Sequence, residues 1–160
     1  MPELRFGHWL ALAAGVIVAD FATKAWILAL FRPGESLMVL PVFNLVLAFN
    51  PGAAFSFLAD AGGWHKWFFV LLALCISTWI IFMLKRHAAD RLQCAAFSLV
   101  LGGALGNVID RLRFGAVVDF LQVHYAGWYW PAFNVADSAI SIGVALLVWH
   151  SLTHKEVPRG

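Results

Sequence analysis

The chain has 160 residues, of which 62% are hydrophobic and only 12% are charged. Soluble domains average about 25% charged residues, so this composition indicates an integral membrane protein. The formal net charge of +2, without a long block of lysine and arginine, argues against a nucleic-acid partner.

Four stretches are long and apolar enough to cross a membrane, because a spanning helix needs about 20 mostly apolar residues. They cover approximately residues 8–30, 67–84, 92–112 and 132–152. The sequence therefore predicts an all-α polytopic membrane protein with four transmembrane helices, forming a single domain over residues 1–160.

The orientation of the chain follows from the basic residues that flank these stretches. With an even number of spans, both termini lie on one side, which carries Arg5, Lys85, Arg86, Arg91, Lys155 and Arg159. The other side carries Arg32, Lys66, Arg111 and Arg113. Because basic residues prefer the cytoplasmic side, this bias predicts cytoplasmic termini.

Two loops are then expected on the outer side, over approximately residues 31–63 and 113–131. In the first loop, Leu37–Phe49 is rich in Val, Leu and Phe, and Asn50-Pro51-Gly52 follows as a turn signal. The sequence predicts a small extended or hairpin-like element here, and a partly extended second loop around Asp119.

We also expect an aromatic belt on each side. The outer belt would contain Trp64, Trp67, Trp128, Tyr129 and Trp130, and the inner one Trp9 and Trp149.

Four of the nine acidic residues lie inside or beside the apolar stretches, namely Asp20, Asp110, Asp119 and Asp137. A carboxylate at the centre of a bilayer costs about 3 kcal/mol on insertion scales, so these residues are candidates for a functional site. A rise of about 1.5 Å per helical residue places all four in the outer third of the membrane. A transport path would spread its polar groups through the full depth.

Polar residues also share helix faces. The faces are Gly103, Asn107, Asp110 and Arg111 on the third stretch, Asn134, Asp137, Ser138 and Ser141 on the fourth, and Asp20 with Lys24 on the first. Three helices that each turn a polar face inward at one depth predict a site. Structural roles are the alternative for two pairs: Asp20 with Lys24 as an ion pair, and Asp110 with Arg111 as a charge pair at a helix end.

Two neighbouring carboxylates in a low-dielectric setting do not both ionise easily, so they share a proton and offer a base and an acid together. Such a pair activates water and protonates a leaving amine, which is amide hydrolysis without a covalent intermediate. Asp119 and Asp137 are the best candidates, because one lies in a loop and the other on a helix face that points toward it.

Other mechanisms have weaker support in the sequence. Neither H-E-x-x-H nor G-x-S-x-G occurs, and no metal or other cofactor is expected. A Ser–Lys hydrolase would use Lys24 with Ser56 or Ser138, but Asp20 would keep that lysine charged. A small proton-coupled carrier or a non-catalytic assembly subunit is the alternative from a different class.

Five short motifs resemble those of a known family. They are Asp20-Phe-Ala-Thr-Lys24, Asn50-Pro-Gly-Ala-Ala-Phe55, Gly103-Ala-Leu-Gly-Asn107-Val-Ile-Asp110-Arg111, Val118-Asp119-Phe120 and Phe133-Asn134-Val-Ala-Asp137-Ser138. In this order, among four apolar stretches, they resemble the bacterial lipoprotein signal peptidases (signal peptidase II, aspartyl peptidase family A8).

The resemblance implies an aspartic endopeptidase of the bacterial cytoplasmic membrane, with its active site near the periplasmic face. Such an enzyme removes signal peptides from diacylglyceryl-modified prolipoproteins just before the lipidated cysteine. By the family pattern, Asp119 and Asp137 form the catalytic dyad. The supporting and substrate-binding residues are Asp20, Lys24, Asn50, Gly52, Asn107, Asp110, Arg111 and Asn134. The family also implies sensitivity to the cyclic peptide globomycin, and we expect a monomer surrounded by membrane lipids.

Overall fold

The computed structural model describes residues 6–52, 64–87 and 90–153. Its long helices are α1 (Phe6–Leu30), α2 (Trp64–Arg86), α3 (Arg91–Phe114) and α4 (Val135–Thr153). Its strands are β1 (Ser36–Leu40), β2 (Phe43–Asn50), β3 (Val117–Tyr125) and β4 (Trp128–Tyr129). The strands form an antiparallel sheet in the order β1-β2-β3-β4. All four helices are long and apolar enough to cross a membrane, so the predicted transmembrane helices and the small extended element are confirmed.

The helix α3 is the centre of the bundle, because it packs against each of the other three helices. Within its apolar segment 61% of the residues are buried, against 17% to 22% in the other helices. The sheet lies at the end of the bundle where α1 and α3 end and where α2 and α4 begin. We call this the sheet end.

Two glycines allow the neighbouring helices to approach α3 closely. A Cβ atom at Gly103 would lie 2.4 Å from the carbonyl oxygen of Ala136 in α4, and one at Gly102 would lie 2.6 Å from that of Ala13 in α1. Real Cβ atoms do not come this close, so only glycine fits at these crossings. The close approach brings polar side chains of the three helices within hydrogen-bonding distance.

We expect Gly103→Ala to destabilise the protein by about 1–3 kcal/mol, because the added methyl group pushes α4 away from α3. Thermal unfolding in detergent micelles measures this effect. Gly15→Ala in α1 is the matched control, since a Cβ there meets nothing within 4 Å and alanine favours a helix. A Gly103→Ala protein that unfolds at the temperature of the control would contradict this account of the α3–α4 contact.

The sheet closes over the bundle through long-range pairing. In the register of β2 and β3, Asn50 pairs with Val117 and Ala48 pairs with Asp119. At the other side of β3, Phe133 and Leu121 exchange backbone hydrogen bonds of 2.8 and 3.0 Å. The end of β2, the beginning of β3 and the beginning of α4 therefore meet at one place.

One expected interfacial tryptophan is instead part of the core. Trp9 is only 5% exposed and belongs to a cluster with Ile80, Phe97 and Leu101, so its predicted place in an aromatic belt is wrong. The position of Trp9 near a helix end is typical of a belt, but its side chain lies on the face of α1 that packs against α2 and α3. Trp149 is exposed.

Candidate active site

A buried network of polar side chains lies at the sheet end of the bundle. At its centre Asn107 of α3 donates from Nδ2 to Oδ1 of Asp137 over 2.7 Å. The Oδ1 atom of Asn107 accepts from Nζ of Lys24 at 3.2 Å and from Nδ2 of Asn134 at 3.4 Å. One amide thus connects α1, α3 and α4.

The ammonium group of Lys24 lies between two carboxylates. Its Nζ is 2.6 Å from Oδ2 of Asp20 and 2.7 Å from Oδ2 of Asp110. Asp110 also accepts from the backbone N–H of Val118 at 3.0 Å, and Asp20 accepts from that of Ala136 at 2.9 Å. The group therefore joins α1 and α3 to the first residues of β3 and α4.

These contacts bear on the two charge pairs and on the Ser–Lys hydrolase considered in the sequence analysis. The ion pair of Asp20 with Lys24 is present, and Asp110 bonds to Lys24 and Val118 rather than to Arg111. Because Nζ of Lys24 is bound by two carboxylates, it is not positioned to activate a serine hydroxyl. Ser138 donates to the backbone oxygen of Asn134 at 2.9 Å, which gives no support to a pairing of Ser138 with Lys24. Ser56, the other serine considered, lies outside the described residues.

The residue Asn134 precedes α4 and caps it, because its Oδ1 accepts from the backbone N–H of Asp137 at 2.8 Å. Its Nδ2 atom donates to Oδ1 of Asp119 at 2.7 Å and also lies 3.2 Å from the backbone oxygen of Val118. The same side chain therefore fixes the carboxylate of β3 and the first turn of the helix that carries Asp137.

The carboxylate of Asp119 is enclosed, with only 1% of the residue exposed. Its Oδ2 accepts from Nδ2 of Asn50 at 2.9 Å, and its Oδ1 from Asn134. Burial raises the pKa of Asp119 to about 6, since the hydrogen bond from Asn50 lowers it by less and the negative charge of Asp137 raises it further. The carboxyl group thus exchanges its proton near neutral pH rather than near pH 4.

Asp137 is half-buried and lines two grooves, so it is more accessible than Asp119. One groove, of about 290 Å³, runs between α2, α3 and α4. It is lined mainly by apolar residues, among them Phe69, Leu72, Ile76 and Ile140. The other, of about 340 Å³, is lined by Trp130, Phe133, Asp137, Ser138, Ser141 and Ile142. Asp137 can therefore be reached from both grooves.

The guanidinium group of Arg111 lines the first groove beside Asp137. Its carbon atom lies 4.9 Å from the ring centroid of Phe69, and its Nη1 donates to the backbone oxygen of Asn107 at 3.3 Å. The Nε atom is buried and has no hydrogen-bond partner among the described residues. The guanidinium group thus adds a positive charge to a groove that is otherwise lined mainly by apolar residues.

Gly52 completes the rim of the site. Its N–H donates to Oδ1 of Asn50 at 2.9 Å, which orients the amide whose Nδ2 reaches Asp119. Its φ of +119° is strained for other residues, and a Cβ atom would lie 2.7 Å from the ring of Phe69. Sequence reasoning missed Phe69, which packs against both Gly52 and Arg111, because one phenylalanine in an apolar helix carries no distinguishing signal.

The ten predicted catalytic and supporting residues therefore belong to one continuous arrangement. Within the described ranges, no three or more His, Cys, Asp and Glu side chains are grouped so as to hold a metal ion.

A family model and the curated relatives agree on one family, and solved structures share its fold. The family model described as signal peptidase (SPase) II matches residues 12–153. A lipoprotein signal peptidase of Polynucleobacter necessarius is 51% identical over 152 residues, which cover 95% of this chain and 93% of the relative. A lipoprotein signal peptidase of Janthinobacterium sp. is 53% identical over 144 residues, covering 90% and 87%. A bacterial membrane enzyme solved by the in meso method at 1.9 Å is 32% identical and superposes with a TM-score of 0.82, over 93% of this chain and 95% of that one.

Proposed function

The chain belongs to the signal peptidase II family, and from this premise we propose that it is an aspartic endopeptidase for bacterial lipoprotein precursors. The proposed substrate is a diacylglyceryl-modified prolipoprotein, and the bond cleaved is the one just before the lipidated cysteine. Asp119 and Asp137 are the proposed catalytic residues. The proposal depends on one observation above all: Asn134 binds the carboxylate of Asp119 while it caps the helix that presents Asp137.

In the proposed reaction, ionised Asp137 accepts a proton from a water molecule as the oxygen of that water attacks the scissile carbonyl carbon. Protonated Asp119 donates its proton to the carbonyl oxygen, which gives a gem-diol. Asp119, now ionised, then takes a proton from the diol as the carbon–nitrogen bond breaks. The departing amine of the cysteine receives the proton that Asp137 took from water. The raised pKa of Asp119 supports this division of roles.

The surroundings of the dyad support the proposed substrate. We propose that the apolar groove between α2, α3 and α4 takes the hydrophobic signal helix, and that Arg111, which lines this groove, binds a carbonyl oxygen near the scissile bond. Acyl chains attached to the cysteine remain in lipid, because the dyad lies at the end of the bundle rather than at its middle.

We further propose that the sheet end faces the periplasm and that both termini are cytoplasmic. The larger number of flanking lysines and arginines on the side of the termini supports this orientation. By family resemblance, we expect a monomer that requires no metal or other cofactor and is inhibited by globomycin.

The function is tested by incubating the purified protein with a lipidated prolipoprotein and measuring the mass of the product. We expect a loss equal to the mass of the signal peptide, unchanged by EDTA and abolished by globomycin. If the folded protein causes no mass loss but conducts protons in liposomes, the alternative of a proton-coupled carrier would be favoured. Loss of activity with EDTA and recovery with zinc would overturn the aspartic mechanism.

The pH dependence of cleavage tests the role of Asp119. If its protonated form is required, kcat/KM falls as the pH rises above about 6. The hydrogen bond from Asn50 stabilises the ionised carboxylate, so Asn50→Ala raises the pKa of Asp119 and moves this decline to higher pH. Asn44→Ala is the control, because Asn44 lies in the same strand but bonds to Gln122 and His124. A decline at the same pH in the Asn50 and Asn44 variants would contradict the assignment.

A further inference from the structure

Two arginines near the end of α3 leave the helix in nearly opposite directions, because residues two apart differ by about 200° around a helix. Arg111 faces the polar network and the groove beside Asp137. Arg113 lies on the exposed surface, and in the described part of the chain it forms neither an ion pair nor a hydrogen bond. The active site explains the first arginine and leaves the second unexplained.

Aromatic rings from two helices hold the guanidinium group of Arg113. Its carbon atom is 5.1 Å from the ring centroid of Phe21 in α1 and 4.8 Å from that of Phe114 in α3. Phe49 of β2 packs edge-on against Phe114, with ring centroids 5.9 Å apart. The three rings are 39% to 46% exposed, so they form a preformed platform at the surface of the bundle.

The position of this platform indicates what binds there. Arg113 is one residue before the end of α3 at the sheet end, on a surface of exposed apolar side chains such as Leu112. A cation facing hydrocarbon is costly, and contact with aromatic faces offsets only part of that cost. The charge is neutralised if an anion approaches from the level of the lipid headgroups. The planar fork of arginine matches two oxygens of a phosphate group.

We propose that Arg113, held between Phe21 and Phe114, binds the phosphodiester of an anionic phospholipid in the leaflet at the sheet end. Lipids with choline or ethanolamine carry their own cation, which competes for the phosphate, so a headgroup such as glycerol is preferred. The site lies on the opposite face of α3 from Arg111 and does not depend on the proposed peptidase activity. It sets the depth at which the sheet end rests in the membrane.

The test uses the full-length protein in nanodiscs of phosphatidylcholine with a minor fraction of phosphatidylglycerol. After gentle extraction, native mass spectrometry counts the phosphatidylglycerol molecules that remain bound. We expect Arg113→Gln to lower this retention several-fold, because the variant loses the paired hydrogen bonds of the guanidinium fork to the phosphate. Arg113→Lys should fall between the two, because it keeps the charge without the fork.

Lys66→Gln is the matched control, since Lys66 also lies at the sheet end over an aromatic ring, 5.1 Å from the centroid of Trp67, but contacts a single ring among the described residues. It should retain phosphatidylglycerol as the wild type does. Equal retention in the Arg113→Gln and wild-type proteins would overturn the proposal. So would complete displacement of the lipid by millimolar inorganic phosphate, because the group would then bind a free anion rather than a lipid.

Discussion

Replacing either Asp119 or Asp137 with asparagine should lower the rate of signal-peptide removal by at least about 10³-fold, while the protein still folds and inserts. Asparagine has nearly the same size, but it can neither take a proton from water nor donate one to the substrate as a carboxyl group does. General acid–base catalysis contributes about 10²–10⁴-fold for a single group, and in the proposed mechanism each variant removes one of two such groups. The rate of a single turnover on a lipidated precursor measures the effect.

The double variant separates a catalytic pair from two independent contributions. If both carboxyl groups act on one water molecule, removing the second costs little once the first is lost. Asp90→Asn is the matched control, because Asp90 is bonded to His150 at the opposite end of the bundle. A single variant that keeps more than a tenth of the wild-type rate would refute the dyad, provided that the control is fully active.

Lys24→Met should destabilise the protein by about 3–5 kcal/mol, the usual cost of removing one partner from a buried ion pair. Lys24 is only 3% exposed and contacts Asp20 and Asp110 together. Methionine has a similar length but leaves two carboxylates close to each other without a cation. Thermal unfolding in detergent, followed by circular dichroism, measures the loss.

A variant that also carries Asp20→Asn and Asp110→Asn should recover part of this stability, since neutral side chains leave no uncompensated charge. Lys85→Met is the control: Lys85 is exposed, with its Nζ 5.5 Å from the ring centroid of Phe6, and its replacement should change stability by less than about 0.5 kcal/mol. If Lys24→Met unfolds at the same temperature as Lys85→Met, the ion-pair group does not stabilise the bundle.

The helices were predictable because their signal is local. Each requires one apolar stretch, and helical spacing assigns Asn107 and Asp137 to polar faces without knowledge of their partners. The extended element was also predictable, since a short run rich in Val, Leu and Phe is followed by a turn signal at residues 50–52. In these cases, residues close in sequence decide the structure.

Contacts between distant residues were not predictable in the same way. Nothing in the pattern around Val118 indicates that its backbone N–H donates to Asp110, or that β3 pairs with β2 across more than 60 intervening residues. The burial of Trp9 also depends on which face of α1 packs, and the apolar periodicity of a membrane helix is too weak to tell a lipid-facing side from a protein-facing one.

Fewer side chains are suitable at position 134 than at an ordinary position before a helix. Serine, threonine and aspartate begin helices about as well as asparagine does, so a sequence that needed only a helix start would tolerate all of them. Here one side-chain atom must accept from α4 while another donates to β3. An aspartate at this position would add a negative charge next to Asp119 and Asp137. The side chain of serine or threonine is too short to bond to both α4 and Asp119. Among side chains of this length, only the primary amide carries a hydrogen-bond acceptor and a donor on two separate atoms. We therefore expect Ser, Thr and Asp, which a helix start alone would allow, to be poorly tolerated at position 134.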